Sequence, residues 1–566
     1  MKTLLRWTAL AACALFAAAA LADSVFFVKT GQRAAITQLG LPVKNGVVGP
    51  GLHFKAPFIQ KAHRFAYDSH APSFDNSLIL APMYVNYLAD SEEKFREEAA
   101  ELKRRLGAAK HVLLGFSAFI HLDLPAVDLN RPLPDGFMRP VLAQVDTVVE
   151  RAKANGLVTH ISIVSGFFHG WNALRESAIR QDVRNAQWFA DGWIAPEADL
   201  KDPSAPPRTA WITPSRYAFP LHARVEEAIR ILGRGLAGKM AASPETLVTV
   251  GGDGETELTY ERNFLGAAEQ YADRQEVIYA DYSPFMVAEF RDWLRAGYEG
   301  DLSPATDENG DGRVFNRDYR RDFRTWRLRY YDASGPIPFA EYFKMKEKLP
   351  ESGAFFIDGG FDAPRRAAPD DPLWEAWLRF RRQAVANWVR DFAYWITTSP
   401  DPATGYTIPP ARYYSHQIPA DYLFGKPDNL RLQTSASPVE TAFIHPSGSP
   451  GVTAFNVFNG YGHSETADPP LFSKLFTAGD HWGVLEYNPS MPRAGGRPSS
   501  DDAYYLEELH ELYAFRPHLI IPFAWSDIPH HQGFNIKNSP FERALSRFVQ
   551  EAGDAPWFSW RKLLNE

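Results

Sequence analysis

Two glutamates stand beside apolar segments whose composition predicts buried β-strands. Glu257 comes shortly after the segment TLVTVGG, and Glu486 lies near the end of the segment WGVLEY. Two carboxyl groups on either side of a bond, one protonated and one ionised, form the arrangement that cleaves a glycosidic bond. Glu255 is the alternative to Glu257 as the proton donor. Glu440 competes as the second carboxylate, but it precedes its predicted strand and so belongs to the opposite end.

Polar and aromatic side chains follow the other predicted strands, and we expect some of them to line the same cleft. Sugars present hydroxyl groups to polar side chains and C–H faces to aromatic rings. The alternative for a single histidine or tryptophan is a place in the core. The residues from which we expect substrate contacts are His169, Trp171, His416, Asn456, Tyr487 and Trp525. Strand-end polar residues without an assigned role are His121, Asp123, Gln417, Asn459 and Asp527.

An acidic loop over residues 307–318 has the spacing of a calcium-binding loop. In such loops, oxygen atoms at the first, third and fifth positions converge on the ion, and a glycine at the sixth allows the sharp turn. The alternative is a solvated turn rich in aspartate and glycine. We expect a structural Ca²⁺ ion and no organic cofactor, and the predicted ligands are Asp307, Asn309, Asp311 and Asp318.

The elements that must position these residues alternate along the chain. Helical patterns separate eight candidate strands, near residues 83, 112, 158, 247, 412, 452, 482 and 518. Strands that alternate with helices form parallel sheets, and eight of them predict an α/β fold of the (β/α)8 TIM-barrel type. We expect this barrel, with long loop insertions, over residues 76–566. Functional groups in such barrels lie at the carboxyl ends of the strands.

The first 22 residues have the pattern of a secretory signal peptide. Lys2 and Arg6 precede an apolar run that ends in the small-residue motif Ala20-Leu21-Ala22. We therefore predict export to the periplasm or the medium and no membrane contact once the leader is removed. The alternative is an uncleaved anchor. The single cysteine, Cys13, lies in the leader, so the exported chain has no disulfide.

Composition narrows the class of partner. The chain has 566 residues, of which 45% are hydrophobic and 23% charged, as in folded globular proteins. Its 60 Lys and Arg residues are outnumbered by 68 Asp and Glu residues, for a net charge of −8. Nonspecific nucleic-acid binding needs a basic surface, so we expect a carbohydrate partner and no nucleic acid.

Residues 24–66 resemble the opening of stomatin/prohibitin-type proteins, especially the HflC-like branch, in the stretches GQRAAITQLG and PGLHFKAPFIQK. Alternating apolar and polar positions predict short strands here. We treat 23–75 as a separate short segment before the barrel. If this resemblance dominated, the chain would be a membrane-associated scaffold, which is one alternative to an enzyme.

Residues 80–545 resemble clan A glycoside hydrolases, whose acid/base and nucleophile are glutamates after strands four and seven. The stretches YSPFMVAEFRDWLRAGYEG and HLIIPFAW are similar to family 42 β-galactosidases, and TELTY is similar to the GELRY turn of the β-amylase group. The resemblance implies retaining hydrolysis of oligo- or polysaccharides, with a β-galactoside preference, Glu257 as acid/base and Glu486 as nucleophile. A barrel that binds carbohydrate without cleaving it is the other alternative.

Overall fold

The computed structural model describes part of the chain. No helix in that part is long and apolar enough to cross a membrane. The described residues are 25–28, 32–38, 41–48, 51–54, 60–66, 78–109, 111–164, 173–188, 214–252, 259–261, 277–279, 281–296, 377, 380–381, 384, 388, 391–417, 452–456, 482–487, 501–514, 517–526 and 535–552.

The N-terminal segment contains the short strands that its alternating pattern predicts. Strand β1 (Val25–Val28) pairs antiparallel with β4 (Gly51–Phe54). Strand β2 (Gln32–Gln38) lies between β3 (Leu41–Val48) and β5 (Gln60–Ala66) in a three-stranded antiparallel sheet. All of these pairings are local in sequence.

Eight parallel strands close into a barrel, which confirms the predicted fold class. In order around the barrel they are β6 (Leu78–Leu80), β7 (Val112–His121), β8 (Val158–Val164), β9 (Leu247–Gly252), β12 (Tyr413–Gln417), β13 (Val452–Asn456), β14 (Trp482–Tyr487) and β15 (Leu519–Pro522). Every residue of β9, β14 and β15 is buried, because strands of a parallel barrel are covered on both faces. A separate antiparallel hairpin follows β9 and consists of β10 (Thr259–Glu261) and β11 (Val277–Tyr279).

The first barrel strand lies earlier than the apolar pattern predicts. The stretch 81–88 is expected to be a strand, but β6 ends before it and the chain turns there. Pro82 has no N–H to donate to a strand ladder. The aromatic residues of this stretch pack in the core instead, since the ring centres of Tyr84 and Tyr87 lie 4.9 and 6.4 Å from that of Phe116.

Helices cover the barrel. They are α1 (Glu92–Leu106), α2 (Arg139–Ala154), α3 (Ala173–Gln181), α4 (Phe219–Ala242), α5 (Pro284–Ala296), α6 (Asp502–Ala514) and α7 (Pro540–Ala552), and residues 391–397 are also helical. Helix α1 buries Phe95, Ala99, Leu102 and Leu106, a spacing of three and four residues that places one apolar stripe against the core. Helices α3 and α4 both lie between β8 and β9 along the chain.

Helix α4 carries glycines where neighbouring elements come close. A Cβ atom on Gly233 would lie 2.9 Å from the carbonyl oxygen of Ile396, and one on Gly235 would lie 2.3 Å from a methyl carbon of Leu142. Both positions exclude a side chain unless the neighbour moves. Close approach therefore explains glycine inside a helix that spans 24 residues.

The chain divides into two compact units. The first comprises Met1–Met83, Glu93–Gly115 and Val457–Glu566, and the second comprises Tyr84–Glu92 and Phe116–Asn456. Strands β14 and β15 with helices α6 and α7 belong to the first unit. Strands β8, β9, β12 and β13 belong to the second.

Candidate active site

Glu486 lies where β14 departs from regular pairing with its neighbour. Val484 pairs with Ile520 and Tyr487 pairs with Pro522, with a shift of register between the two pairs. Strand β14 therefore contains one more residue than β15 across this step, which is a β-bulge. Bulges redirect a side chain or end the pairing of a strand, and they are frequent next to active sites.

The backbone of Glu486 is in the left-handed region, with a φ angle of 49°. This conformation costs a residue with a side chain about 1–2 kcal/mol, so glycine is the usual occupant. The Glu486 residue is 9% exposed. Residues held in such conformations cluster at functional sites, where the surrounding structure maintains them. This geometry makes Glu486 the strongest candidate for function among the described residues.

Tyr487, predicted to contact substrate, belongs to the core. It is completely buried, and its ring packs edge-on against Phe541 of α7 at a centroid distance of 5.6 Å. The side chain therefore faces the helix layer. This burial corrects the prediction, because a ring without exposed surface cannot contact a sugar.

Trp525, predicted to stack on a sugar, is also completely buried. Its indole N–H donates a hydrogen bond of 3.0 Å to Glu98 Oε2 on α1, and Lys537 Nζ lies 5.5 Å from the centre of its ring. The core alternative thus describes this side chain, because no face of the ring is open to a ligand.

The end of β9, which precedes the proposed acid/base glutamates, is enclosed on both faces. A Cβ atom on Gly251 would lie 2.9 Å from His160 Nε2, and one on Gly252 would lie 2.3 Å from Cε1 of Phe392 and 2.8 Å from Oη of Tyr413. Only glycines fit here without movement of their neighbours. The two glycines fix the point from which residues 253–258 continue.

Sequence reasoning missed a buried polar cluster around His160. Its Nδ1 lies 2.9 Å from Thr249 Oγ1 and its Nε2 lies 3.0 Å from Ser162 Oγ, and its ring is edge-on to Tyr414 at 6.4 Å. Burial raises the pKa of Tyr414. The signal was present in the stretch VTHISIV, where polar residues at 160 and 162 share one face of an otherwise apolar strand.

Asp281 anchors the chain just before α5. Its carboxylate accepts hydrogen bonds from the backbone N–H groups of Ser283 at 2.8 Å, Arg216 at 3.2 Å and Trp188 at 3.4 Å. Burial raises the pKa of Asp281, although these hydrogen bonds favour its ionised form. The carboxyl group joins three segments that are distant in sequence, an arrangement the sequence did not reveal.

The remaining predicted site residues are placed only in part. Asn456 is the last residue of β13, and His416 is the penultimate residue of the neighbouring parallel strand β12, where it is in register with Ala454. No group of three or more metal-ligating side chains occurs in the part of the chain that the structure describes. Predicted residues outside the described ranges are Glu255, Glu257, Glu440, His169, Trp171, Asp307, Asn309, Asp311 and Asp318.

Comparisons with known proteins give matches among solved structures alone. No protein-family model matches the chain, and no curated protein sequence matches it. Among solved structures, the catalytic domain of β-amylase from Paenibacillus polymyxa matches with a TM-score of 0.50 and 9% identity, over 85% of this chain and 99% of that one. At this identity the likeness shows the fold alone. The chain shares the barrel fold of this domain.

Two further barrels match with lower scores. A Bacteroidetes-affiliated GH5 cellulase has a TM-score of 0.37 and 10% identity, over 87% of this chain and 97% of that one. The β-mannanase of the blue mussel Mytilus edulis has a TM-score of 0.36 and 10% identity, over 94% of this chain and all of that one.

In barrels of this type, the carboxyl ends of the strands carry the reacting groups. Glu486 is a carboxylate at such an end, on a bulge and in a strained backbone conformation. Residues 253–258 follow the end of another strand. The end of β14 can therefore present a carboxyl group for acid, base or nucleophilic chemistry.

Proposed function

We propose that the protein is a retaining glycoside hydrolase acting on oligo- or polysaccharides, with Glu486 as nucleophile and Glu257 as acid/base. The observation that carries the proposal is the left-handed backbone of Glu486 on a bulge at the end of a barrel strand. Residues with side chains in such conformations cluster at functional sites, and glycine would adopt this one at lower cost.

The chemistry follows from two carboxyl groups. The Glu486 carboxylate attacks the anomeric carbon while the bond to the leaving oxygen breaks and Glu257 donates its proton to that oxygen. A water molecule then attacks the covalent intermediate, Glu257 takes the proton from this water, and the bond to Glu486 breaks. Retention requires the two carboxyl groups to lie about 5–5.5 Å apart, whereas inversion requires roughly 6.5–9.5 Å.

The substrate class is proposed from the family resemblance of the sequence, with a β-galactoside as the first substrate to test. The barrel shared with the catalytic domain of a β-amylase supports chemistry on sugars. The leader supports export, so that the enzyme would meet its substrate in the periplasm or outside the cell. Nucleic-acid and membrane partners are not part of the proposal.

The decisive experiment compares the wild type with Glu486→Gln on nitrophenyl glycosides and on plant and microbial polysaccharides. The exposed Glu507 on α6 provides a matched control, Glu507→Gln. We expect Glu486→Gln to lose turnover by several orders of magnitude and a 2-fluoro sugar to label Glu486 in the wild type. A folded wild type that binds sugars but cleaves none would favour the carbohydrate-binding alternative.

The acid/base assignment is tested separately. Glu257→Ala should slow substrates with poor leaving groups most, because activated leaving groups need little protonation. If Glu255→Ala shows that dependence instead, the acid/base is Glu255 and the retaining mechanism stands.

The proposed calcium loop has its own test. A ligand that binds only the native state stabilises it, so a chelator should lower the melting temperature and added Ca²⁺ should restore it. An Asp311→Asn variant should lose this response. A melting curve unchanged by excess chelator would remove calcium from the proposal.

A further inference from the structure

The segment Phe523–Trp525, here called the strap, is held on two sides. The Phe523 N–H donates to the carbonyl oxygen of Tyr487 at 3.0 Å, and the Trp525 N–H donates to that of Met83 at 2.7 Å. The strap follows β15 and contacts the residue directly after Glu486. It therefore restrains the chain at the place where the strained backbone returns to regular strand pairing.

The side chain of Trp525 fastens the strap to an outer helix. Its indole N–H donates to Glu98 Oε2 at 3.0 Å, and Lys537 Nζ donates to the same oxygen at 2.6 Å. Glu98 lies on α1 and is only 5% exposed. A carboxylate removed from water needs such partners, because leaving it without them is strongly unfavourable.

The charges around Glu98 are arranged to keep it ionised. Burial disfavours its ionised form, but hydrogen bonds from Lys537, Lys94 and Trp525 outweigh burial and lower the pKa of Glu98. Lys94 Nζ is 3.1 Å from the other carboxylate oxygen. Lys537 Nζ also lies 3.0 Å from Oε2 of Glu101. The described hydrogen bond of the Trp525 side chain is the one to Glu98.

We propose that Glu98 is a positioning residue for Glu486, acting through Trp525 and the strap. The inference rests on the proposed function, in which Glu486 is the nucleophile. A left-handed glutamate persists only where the structure around it leaves no easier conformation. The hydrogen bond from Phe523 to Tyr487 supplies part of that restraint, and Glu98 holds the strap that makes it.

The test uses two variants of this path and one matched control. Glu98→Gln removes the charge that holds Lys537, and Trp525→Phe removes the indole N–H. Glu101→Gln is the control, because it changes the second carboxylate near Lys537. Each is assayed for kcat and KM with an activated aryl glycoside, for the rate of labelling by a 2-fluoro sugar, and for thermal stability.

We expect Glu98→Gln and Trp525→Phe to lower kcat and the labelling rate about 10- to 100-fold, the loss expected when a reacting group is displaced by a fraction of an ångström to an ångström. KM should stay within about threefold of the wild type, and Glu101→Gln should behave like the wild type. The double variant should be no worse than the more affected single variant, because both changes weaken the same attachment of the strap to α1.

The proposal is overturned if the two variants lower the melting temperature but leave kcat and labelling like those of Glu101→Gln. It is also overturned if their effects multiply in the double variant. Failure of the proposed function is a different result, namely a wild type without glycosidase activity or a Glu486→Gln variant that remains active.

Discussion

The residue types at the ends of strands β9 and β14 have different explanations. Strand β9 ends in two glycines because neighbouring side chains occupy the space on both of its faces. Strand β14 places a glutamate in a left-handed conformation, with φ of 49°, where glycine would be easier. Lack of space explains the two glycines of β9, whereas Glu486 of β14 is present despite the cost of its left-handed backbone.

This difference separates two kinds of sequence signal. A glycine pair that excludes side chains has a packing explanation in His160 and Phe392, and it requires no function. Glu486 occupies a left-handed conformation that glycine would adopt at lower cost. The second kind therefore points to chemistry more strongly than the first.

The largest effect is expected for Gly252→Ala. The new Cβ would lie 2.3 Å from a ring carbon of the buried Phe392, and overpacking of this kind costs about 3 kcal/mol. Denaturant unfolding should show this loss, and Phe392→Leu in the same chain should recover part of it. Unchanged unfolding of Gly252→Ala would mean that space does not dictate this residue.

A smaller loss, about 2 kcal/mol, is expected for Gly251→Ala. Its Cβ would lie 2.9 Å from His160 Nε2, and the hydroxyls of Thr249 and Ser162 hold that ring in place. Adding His160→Ala should make the double variant more stable than additivity predicts, because the clash is removed. Strictly additive unfolding free energies would contradict a contact between these positions.

At position 486 we expect glycine to give a more stable protein than alanine because of the left-handed backbone rather than because of lack of space. Glu486→Gly and Glu486→Ala both remove the carboxylate, but only glycine relieves the left-handed backbone. The relief of about 1–2 kcal/mol is partly offset by the greater freedom of glycine in the unfolded chain, about 0.5–1 kcal/mol. We expect the glycine variant to be more stable than the alanine variant by ~0.5–1 kcal/mol in denaturant unfolding, and the reverse order would argue against backbone strain.

The smallest expected effect is on the pH dependence of stability. The pKa of Glu98 is lowered in the folded chain. The ionised carboxylate therefore stabilises the folded chain above the pKa that Glu98 has in the unfolded chain, and this stabilisation is lost as the pH falls through the folded pKa. Glu98→Gln should flatten the decline of stability below about pH 4.5. Gly251→Ala should keep the wild-type decline, because the β9 end depends on space and carries no such charge.

Much of the barrel could be predicted from sequence. Its buried parallel strands are continuous apolar runs, and the helices between them have apolar residues at intervals of three and four. The prediction was wrong at β6, because the stretch that contains Tyr84 and Tyr87 is apolar like a buried strand but lies after β6. For the site, strand-end position pointed to Glu486. The burial of Tyr487 and Trp525 could not be predicted, because it depends on partners such as Phe541 and Glu98 that are distant in sequence.

The glycines of α4 have a consequence for how the chain is made. Glycine weakens a helix by about 1 kcal/mol relative to alanine, so α4 relies on its neighbours to become stable. One neighbour, Leu142, is synthesised before α4, but the other, Ile396, follows much later. On the ribosome, α4 therefore emerges well before its second supporting surface exists, and this side of the barrel can be completed only late in translation.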